Sequence, residues 1–500
     1  MKKTILALIL VVLMVMPLLV SCGDDKKPGN NSSSTETTTG SNVDPEVAEI
    51  DEYVSDLASN ANFSGSTFAY IGKGVTLNVP EVEEESGNLL SDAVYYRQRE
   101  IEELFGVDWE NVKTEDGEDT QNKVIMDYMA SMGAYDLVHG AMHTVGQPLM
   151  FNGAITDINE LSTIDLSRDW WVSSLNDTYA INGELYFLTG PIVVENFYDA
   201  ACVMFNKDVA DNYDIPDLYE IVESGEWTID KMVEIANMIP ANSTGDGTYR
   251  YGMYNHRDVG LDIMFASGMQ LTYFDENGTP YIANTLSTEL SDFADKMSKI
   301  FGDDSITCIA RVKGNSAEEA STKYGVTELN EMFINGNVLF WFESTEAVMS
   351  LREKEVEFGI LPTPKGDASM EYTTFSANGT AVYIPKMAKD IEKVDVITEA
   401  MGALSQKHVQ PAFYDKVLKG RSTYDSESRG MIDIIFSTKV YDLIDLYGGG
   451  DMNSKGAYIN LINRAIVNDS STLASGYRGT ARSTSAMLTN LLRSLAREDK

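Results

Sequence analysis

The sequence predicts an α/β protein built around a largely parallel, doubly wound sheet. Short apolar runs typical of strands, at residues 75–79 and 135–138, alternate with helical stretches at 91–105 and 121–132. We interpret this alternation as a β-α-β-α-β order, which implies right-handed crossovers and ligand binding beyond the carboxyl ends of the strands. The chain has 500 residues, and more than four hundred of them follow a polar N-terminal stretch. That length exceeds one ordinary core and favours two lobes.

The two early helices are predicted from apolar spacing and a glycine stop. In the first stretch, Ile101, Leu104 and Phe105 share one face. Gly106 can then end this helix in a left-handed conformation. The second stretch has a longer apolar repeat: Ile125, Tyr128, Met129 and Met132. The spacing i, i+3, i+4, i+7 predicts that these four side chains face the core.

Turn and cap residues mark the later elements. Asn182 and Gly183 supply the positive φ angles of a tight hairpin turn. Thr228 is expected to cap a helix that stops at Pro240, and a second hairpin is predicted at 273–282.

Residues 338–342 contain no polar side chain except the indole nitrogen of a tryptophan, so this strand is predicted to be buried on both faces. Further strands are expected at 358–362 and 380–384. From residue 386 onward the pattern is mainly helical.

The N-terminus has the pattern of an export signal. Lys2 and Lys3 precede a nearly unbroken apolar run at residues 5–20, which is short for a membrane span. The following residues, up to Cys22, resemble a bacterial lipoprotein lipobox. This resemblance implies a signal peptide at 1–21, a lipid on Cys22, and a protein anchored to the membrane outside the cytoplasm. The alternative is an ordinary signal peptide cleaved nearby, with Cys22 uninvolved.

The stretch at 22–44 is predicted to be a flexible tether. Beyond the cysteine it is almost entirely polar, with Gly, Asp, Lys, Pro, Asn, Ser, Thr and Glu. Such a composition buries too little apolar surface to offset the entropy of ordering.

The overall charge argues against nucleic acid as a partner. The chain has 77 acidic and 38 basic residues, a formal charge of −39. Phosphate binding depends on neutralisation by Lys and Arg, which are too few here. The excess of acidic residues is explained by solubility and self-repulsion.

Cysteine and histidine usage gives no indication of a metal site or other cofactor. Cys202 and Cys308 each lie in an apolar run, where a thiol behaves as a small buried hydrophobe. A disulfide between them is the alternative, since an exported protein meets an oxidising compartment. The four histidines show no zinc-ligand spacing, so no metal is expected.

Several short motifs, in their order along the chain, resemble a known family. Residues 333–340 read Phe-Ile-Asn-Gly-Asn-Val-Leu-Phe, residues 358–365 read Phe-Gly-Ile-Leu-Pro-Thr-Pro-Lys, and residues 382–385 read Val-Tyr-Ile-Pro. Together with upstream segments such as 205–207 and 226–231, they resemble the extracellular solute-binding proteins of ABC transporters (family 1, carbohydrate type).

The resemblance implies a two-lobed periplasmic-binding-protein-like fold of type II. Each lobe would be a doubly wound, mostly parallel sheet, and each would be discontinuous because the chain crosses the hinge more than once. The implied N-lobe comprises residues 45–192 and 372–410, and the implied C-lobe comprises 193–371 and 411–500.

The resemblance also implies ligand contacts at strand ends and at the hinge. A closing cleft needs polar groups that pair with hydroxyls, and ring faces on which a sugar can stack. The implied contacts are Glu343, Ser344, Thr345, Glu346, His143, Asn196, Tyr198, Asp199, Asn255 and Arg257.

Each of these contacts has a structural alternative. A helix N-cap would explain Ser344 or Thr345, and ordinary solvation would explain His143. Hinge packing would explain residues 196–199. An ion pair with a neighbouring aspartate would explain Arg257.

These expectations describe a membrane-anchored receptor that captures a small polar solute and passes it to the permease subunits of an ABC importer. A sugar or oligosaccharide is favoured by the family, and no chemistry on the solute is expected. Closure would follow because the solute binds the closed form better. The alternative is a surface-anchored glycoside-active enzyme that uses two carboxylates.

Overall fold

Two separate β-sheets organise the protein, whose structure is a computed structural model. It describes residues 45–73, 87–172, 178–239, 251–255, 259–303, 306–309, 331–351, 354–376, 379–418, 426–444, 461–466 and 470–496. For residues 254–255, 308–309, 416–418 and 426 only the backbone is described. The predicted signal peptide, Cys22, the tether and the predicted strand at 75–79 lie outside the described residues.

Strands and helices are numbered here in chain order. The strands are β1 (Thr67–Lys73), β2 (Asp108–Thr114), β3 (Leu137–Ala141), β4 (Ala201–Asn206), β5 (Tyr251–Asn255), β6 (Thr272–Phe274), β7 (Pro280–Ile282), β8 (Thr307–Ile309), β9 (Val338–Ser344), β10 (Phe358–Leu361), β11 (Thr374–Phe375), β12 (Thr380–Tyr383) and β13 (Lys439–Val440). The helices are α1 (Pro45–Asn60), α2 (Leu89–Phe105), α3 (Gly117–Ala130), α4 (Gln147–Phe151), α5 (Lys207–Asn212), α6 (Leu218–Glu223), α7 (Ile229–Ala236), α8 (Val259–Ala266), α9 (Thr288–Phe301), α10 (Glu331–Ile334), α11 (Thr345–Leu351), α12 (Ile391–Leu404), α13 (Gln410–Leu418), α14 (Ser426–Ser437) and α15 (Ser471–Leu495). Single π-helical turns occupy Met142–Gly146 and Ser405–Val409.

Sheet 1 has the strand order β2-β1-β3-β12. β1 is parallel to both β2 and β3, whereas β12 is antiparallel to β3. The five interior residues of β1 are all buried, which is the pattern of a strand covered on both faces. The succession β1-α2-β2-α3-β3 has the predicted alternation of strands and helices, and its first strand lies at 67–73.

Sheet 2 has the strand order β10-β4-β9-β5-β8. β9, β5 and β8 are mutually parallel, and β4 is antiparallel to β9 and β10. β4 enters at the edge where β9 ends, since Ala201 pairs with Ser344, and it must therefore run in the opposite direction. The five consecutive buried residues of β9 confirm the prediction of a strand buried on both faces.

Two chain segments connect the sheets. Residues 188–200 lead into β4, and residues 374–380 lead from β11 to β12. Bridges join Leu188 to Val382 and Ala200 to Ser376, and β11 pairs in parallel with β13. We call these two segments, together with β13, the hinge. The lobe limits 45–192 with 372–410, and 193–371 with 411–500, stay predictions.

Local signals correctly predicted several element ends. Gly106 has φ 70°, and its N–H donates to Glu102 O at 3.0 Å, so it ends α2 in the left-handed region. Thr228 accepts a hydrogen bond from Lys231 N at 3.2 Å and caps α7 as predicted. In both cases the signal is contained within one helical turn.

Both predicted hairpin turns form, and they touch each other. Asn182 and Gly183 have φ angles of 54° and 91°, and Gly278 in the β6–β7 turn has φ 74°. Asn182 N donates to Gly278 O at 3.2 Å. Thr279 Oγ1 donates to Asn182 Oδ1 at 2.9 Å, so two turns distant in sequence lie in contact.

The predicted buried face of α3 is only half right: Ile125 and Tyr128 are partly buried against the core, but the two methionines are not. Met129 and Met132 are 71% and 55% exposed. The buried residues of the helix are Thr120, Val124 and Asp127. Asp127 accepts a backbone N–H at 2.8 Å from the turn that follows the helix, and Thr120 shares a 2.6 Å hydrogen bond with Thr114. These polar contacts orient the helix, and the methionines are left on the outside.

Helix α1 is anchored through Glu399 of α12. This carboxylate accepts hydrogen bonds from Tyr53 Oη (3.0 Å), Trp170 Nε1 (3.2 Å) and Trp171 Nε1 (2.9 Å). Burial raises the pKa of Glu399 to about 7, although these hydrogen bonds oppose the rise. Gly402 makes room for the indoles, since a Cβ there would lie 2.7 Å from a Trp170 ring atom and 2.8 Å from a Trp171 ring atom.

The described part of the chain also bears on the cysteines, on metals and on membranes. Cys202 is a free, buried thiol, as its apolar context predicts, and burial raises its pKa. The side chain of Cys308 lies outside the described residues.

Within the described ranges, no cluster of His, Cys, Asp and Glu is suited to a metal ion, and no helix has the length and apolarity for a membrane crossing.

Candidate functional site

The hinge segment 195–200 is bonded to strand ends of both sheets. His139 Nε2, in β3, lies 3.2 Å from Glu195 Oε2. Where β9 passes into α11, the backbone N–H groups of Thr345 and Glu346 donate to carbonyls of the hinge segment at 2.9 Å and 3.0 Å. The carboxyl ends of β3 and β9 therefore meet at the hinge, where α/β sheets place their ligands.

Glu343, Ser344, Thr345 and Glu346 take two kinds of position. Thr345 is buried, and its hydroxyl donates to Phe197 O at 2.5 Å, so it supports the hinge. Glu343 and Ser344 are half-buried and Glu346 is exposed, so their side chains are accessible to a ligand. The alternative of a structural role thus applies to Thr345, while the ligand contacts predicted for the motif stay predictions.

Tyr198 joins the hinge to this motif. It is half-buried, and its ring lies edge-on to Phe413 with 5.9 Å between centroids. Burial raises the pKa of Tyr198 to about 12, and the negative charges of Glu195 and Glu346 add to the rise. The phenol is therefore a neutral hydrogen-bonding group placed between two carboxylates.

Asn196 and Asp199 lie on the other part of the hinge, near β13. Asn196 Nδ2 donates to Thr189 Oγ1, and Asn196 O accepts from Lys439 Nζ at 2.6 Å. Burial lowers the pKa of Lys439 to about 8, and the negative charge of Asp199 opposes this fall. Asn196 Oδ1 is buried, and none of the described residues donates a hydrogen bond to it.

The remaining predicted contacts are His143, Asn255 and Arg257. His143 is half-buried in the π-helical turn that follows β3, at the carboxyl end of that strand. Asn255 ends β5 and is paired through its backbone with Phe342 of β9, while its side chain lies outside the described residues. Arg257 lies outside them altogether.

The sequence analysis missed a buried guanidinium beside the hinge. Arg97 in α2 is fully buried, and its Nη1 donates to Ile192 O (3.2 Å) and to Ser405 Oγ (2.9 Å). Its Nε and Nη2 have no hydrogen-bond partner in the described part of the chain. Burial lowers the pKa of Arg97 to about 10, while Tyr70 and Glu195 oppose this fall. One signal was present, because Arg97 falls at helical spacing on the apolar face of α2.

Glu195 is the counter-charge in this cluster. Burial opposes its ionisation, but the charge and hydrogen bond of His139 and the charge of Arg97 hold the pKa of Glu195 below the ordinary glutamate value. The ring of His139 in turn stacks on Tyr70 with 6.0 Å between centroids. The hinge region therefore combines the buried Arg97 and His139 with the half-buried carboxylate of Glu195.

A cavity of about 680 Å³ adjoins the hinge, and we call it the hinge cavity. It is lined by Ser167, Arg168, Asp169, Trp171, Val172, Gly190, Pro191, Asn196, Phe197, Tyr372, Thr373, Gln410, Tyr414, Asp433, Phe436, Ser437, Thr438, Lys439, Val440 and Tyr441. Asn196 is the one predicted contact among them. The hinge cavity is thus largely separate from the strand-end residues 343–346.

Comparisons by sequence and by structure give different outcomes. No protein-family model matches the sequence, and no curated protein matches it significantly. By structure, the chain is similar to the cyclic α-maltosyl-1,6-maltose binding protein from Arthrobacter globiformis, with a TM-score of 0.57 and 12% identity over 85% of this chain and 99% of that one. The chain has the two-lobed fold of these binding proteins.

Two further solved structures support the same assignment of the fold. A sugar transporter from Rhizobium etli, in an open conformation, has a TM-score of 0.55 and 14% identity over 85% of this chain and 99% of that one. The GacH receptor of Streptomyces glaucescens has a TM-score of 0.51 and 14% identity over 86% and 99%. The predicted two-lobed α/β fold is therefore confirmed, and at such identities the fold is what the likeness establishes.

Proposed function

We propose that this protein is an extracytoplasmic receptor that binds a small carbohydrate between its lobes and delivers it to an ABC importer. The meeting of both sheets' strand ends at the hinge segment 195–200 carries the proposal, because a ligand held there contacts both lobes. The structural relatives support it: one is named for binding a cyclic maltosyl-maltose, and another was solved in complex with acarbose.

The accessible strand-end groups suit hydroxyl recognition. Glu343 and Glu346 supply carboxylate acceptors, Ser344 supplies a hydroxyl, and His143 supplies a ring nitrogen. Tyr198 adds a phenol that keeps its proton, because its pKa is raised to about 12. A solute that bonds to both lobes binds the closed form better and shifts the population toward it.

The N-terminal residues complete the proposal. Cys22 would carry the lipid, residues 22–44 would act as the tether, and the permease subunits of the importer would receive the closed, loaded form. Replacing Cys22 by Ser tests the anchor: metabolic labelling with a palmitate analogue should mark the wild-type protein and not the Ser variant. An unlabelled wild type, or equal labelling of both, would contradict a lipid on Cys22.

Ligand binding is tested with the purified mature protein and a panel of mono- and oligosaccharides. We expect a rise in melting temperature for at least one sugar, with a smaller radius of gyration in solution scattering. Chromatography of the sugar after incubation should recover it unchanged. Cleaved sugar would favour the glycoside-active enzyme, and a particle that responds to no sugar would contradict a carbohydrate receptor.

A Glu346→Gln variant locates the site. Since Glu346 is exposed at the end of β9, the substitution should weaken sugar binding while the melting temperature of the unliganded protein stays unchanged. The matched control is Glu371→Gln, another exposed glutamate, which lies away from residues 343–346 in the sequence. Equal weakening by both variants would argue against the strand-end site.

A further inference from the structure

The hinge cavity has walls from both lobes. Residues 167–172 are tied to α12 through Trp171, which donates to Glu399. Residues 433–441 belong to α14 and β13, and α14 packs against β10 of sheet 2. The hinge itself supplies residues 190–197. With about 680 Å³, the hinge cavity falls within the range of about 300–1,000 Å³ that is usual for small-molecule sites.

One buried polar atom in the wall has no hydrogen-bond partner among the described residues. Asn196 is 3% exposed, and its amide nitrogen and its backbone carbonyl are both engaged, with Thr189 and Lys439. Its Oδ1 accepts no hydrogen bond from the residues that the structure describes. Buried acceptors are normally satisfied, and the hydroxyl of a ligand in the cavity would supply a donor to this oxygen.

Aromatic rings make up much of the remaining wall. The lining includes Trp171, Phe197, Tyr372, Tyr414, Phe436 and Tyr441. Phe436 packs against Phe197 and Tyr414 with centroid distances of 5.7 Å and 6.1 Å and the ring planes inclined to each other, so these three rings form one aromatic cluster. Flat apolar faces of this kind accept the C–H face of a saturated ring.

The charges in the wall balance. Arg168 and Lys439 are opposed by Asp169 and Asp433. Both cations are already engaged: Arg168 Nε lies 3.2 Å from Asp165 Oδ2, and Lys439 Nζ donates to Asn196 O at 2.6 Å. The cavity therefore presents acceptors and ring faces, without an excess of either charge.

We propose that the hinge cavity is a second binding site, for a neutral hydroxylated ring the size of one pyranose. One hydroxyl donates to Asn196 Oδ1, and the C–H face of the ring packs against the aromatic wall. Because the walls belong to both lobes, occupancy of this site is coupled to the angle between them. By linkage, a ligand here changes the affinity of the strand-end site, and the reverse holds by the same factor.

The site can be observed through its own tryptophan. The protein has five tryptophans, and Trp171 lines the hinge cavity. Fluorotryptophan labelling gives one fluorine NMR signal per residue, and a Trp171→Phe variant identifies the relevant one. Titration with D-glucose, D-galactose, D-mannose and myo-inositol should shift the Trp171 signal saturably for at least one ring. Glucuronate and glucosamine test the requirement for neutrality and should bind more weakly.

A pair of serine variants tests where the ring binds. Ser437 lines the cavity and is exposed, and its hydroxyl donates to the carbonyl three residues earlier, Ile434 O. Ser437→Phe should fill the space and weaken the interaction by more than about tenfold. Ser475 is an exposed helical serine with the same kind of hydrogen bond, to Thr472 O, and Ser475→Phe should change nothing.

The outcomes separate this inference from the proposed receptor function. In Glu346→Gln, the Trp171 response should persist even though binding at the strand ends is weakened. The inference is overturned if no neutral ring shifts the Trp171 signal, if the shift survives in Ser437→Phe, if both serine variants abolish it, or if a charged ring binds more tightly. None of these results depends on whether an oligosaccharide binds at residues 343–346.

Discussion

The pKa values of two glutamates, the half-buried Glu195 and the fully buried Glu399, move in opposite directions. Glu195 lies 3.2 Å from His139 Nε2 and in the field of Arg97, and its pKa lies below the ordinary value. Glu399 accepts hydrogen bonds from a phenol, two indoles and a backbone N–H, and burial raises its pKa to about 7. Four neutral donors thus fail to compensate the full burial of Glu399, whereas charged partners and partial exposure keep the pKa of Glu195 low.

The largest expected effect on stability comes from neutralising Glu195, the carboxylate in the field of the Arg97 guanidinium. Glu195→Gln leaves the buried guanidinium of Arg97 without its counter-charge, so we expect the free energy of unfolding to fall by about 3 kcal/mol. Urea unfolding at about pH 5 measures the change.

Glu399→Gln is the matched control, since the same substitution is made where no cation is among the hydrogen-bond partners. The amide oxygen still accepts hydrogen bonds, so at about pH 5, where Glu399 holds its proton and Glu195 is ionised, the loss should be about 1 kcal/mol. Equal losses at the two positions would show that charge compensation does not distinguish these sites.

The second prediction concerns the pH dependence of stability. Because the pKa of Glu399 is higher in the folded state than its ordinary value of 4.5, the folded protein binds the proton more tightly than the unfolded chain. The resulting stabilisation is fully present below the unfolded pKa and is lost as the pH rises through about 7. Relative to Glu399→Gln, the wild-type protein should lose about 2 kcal/mol between about pH 5 and about pH 7.

Glu195 should show the opposite sign. Its pKa is depressed, so its stabilisation is present above the unfolded pKa and is lost as the pH falls through the folded value. Unfolding curves of Glu195→Gln and Glu399→Gln must therefore extend below the ordinary glutamate pKa of 4.5: the Glu195 contribution is lost at the acid end, and the Glu399 contribution is lost as the pH rises through about 7. Parallel pH profiles would contradict the comparison.

The smallest expected effect follows from removing one neutral donor. Tyr53→Phe keeps the ring that packs 5.2 Å from Trp170 but deletes the hydrogen bond to Glu399. We expect a loss of about 1 kcal/mol and a further rise in the pKa of Glu399, because that hydrogen bond lowers it. Tyr281→Phe, at a 48% exposed tyrosine, is the control and should leave stability unchanged. An unshifted titration midpoint in Tyr53→Phe would contradict the role assigned to the phenol.

Sequence signals that act within a few residues predicted several local features of the structure correctly. Gly106, Thr228 and the Asn182–Gly183 turn were predicted correctly because each signal acts within a few residues. The two-lobed fold was predicted from a resemblance in motif order, which no local spacing would have revealed. The strand-end position of residues 343–346 followed from that same order.

The features that the sequence did not predict are contacts between residues that lie far apart in the chain. His139 and Glu195 are 56 positions apart, and Arg97 reaches a hinge carbonyl 95 positions away. The apolar repeat in α3 predicted an inward face for Met129, but a buried hydrogen bond of Asp127 decided the orientation. A cavity is likewise a property of several segments at once, so the lining of the hinge cavity could not be derived from any one of them.

Gly402 affects two side chains outside its own helix, the indoles of Trp170 and Trp171. Only a hydrogen atom at this position lets both indoles approach closely enough to donate to Glu399, three residues earlier on the same helix. A methyl group there would displace the rings, and the acid would then hold its proton into alkaline solution. The pKa of the Glu399 carboxyl group is therefore governed by Gly402, a residue without a side chain.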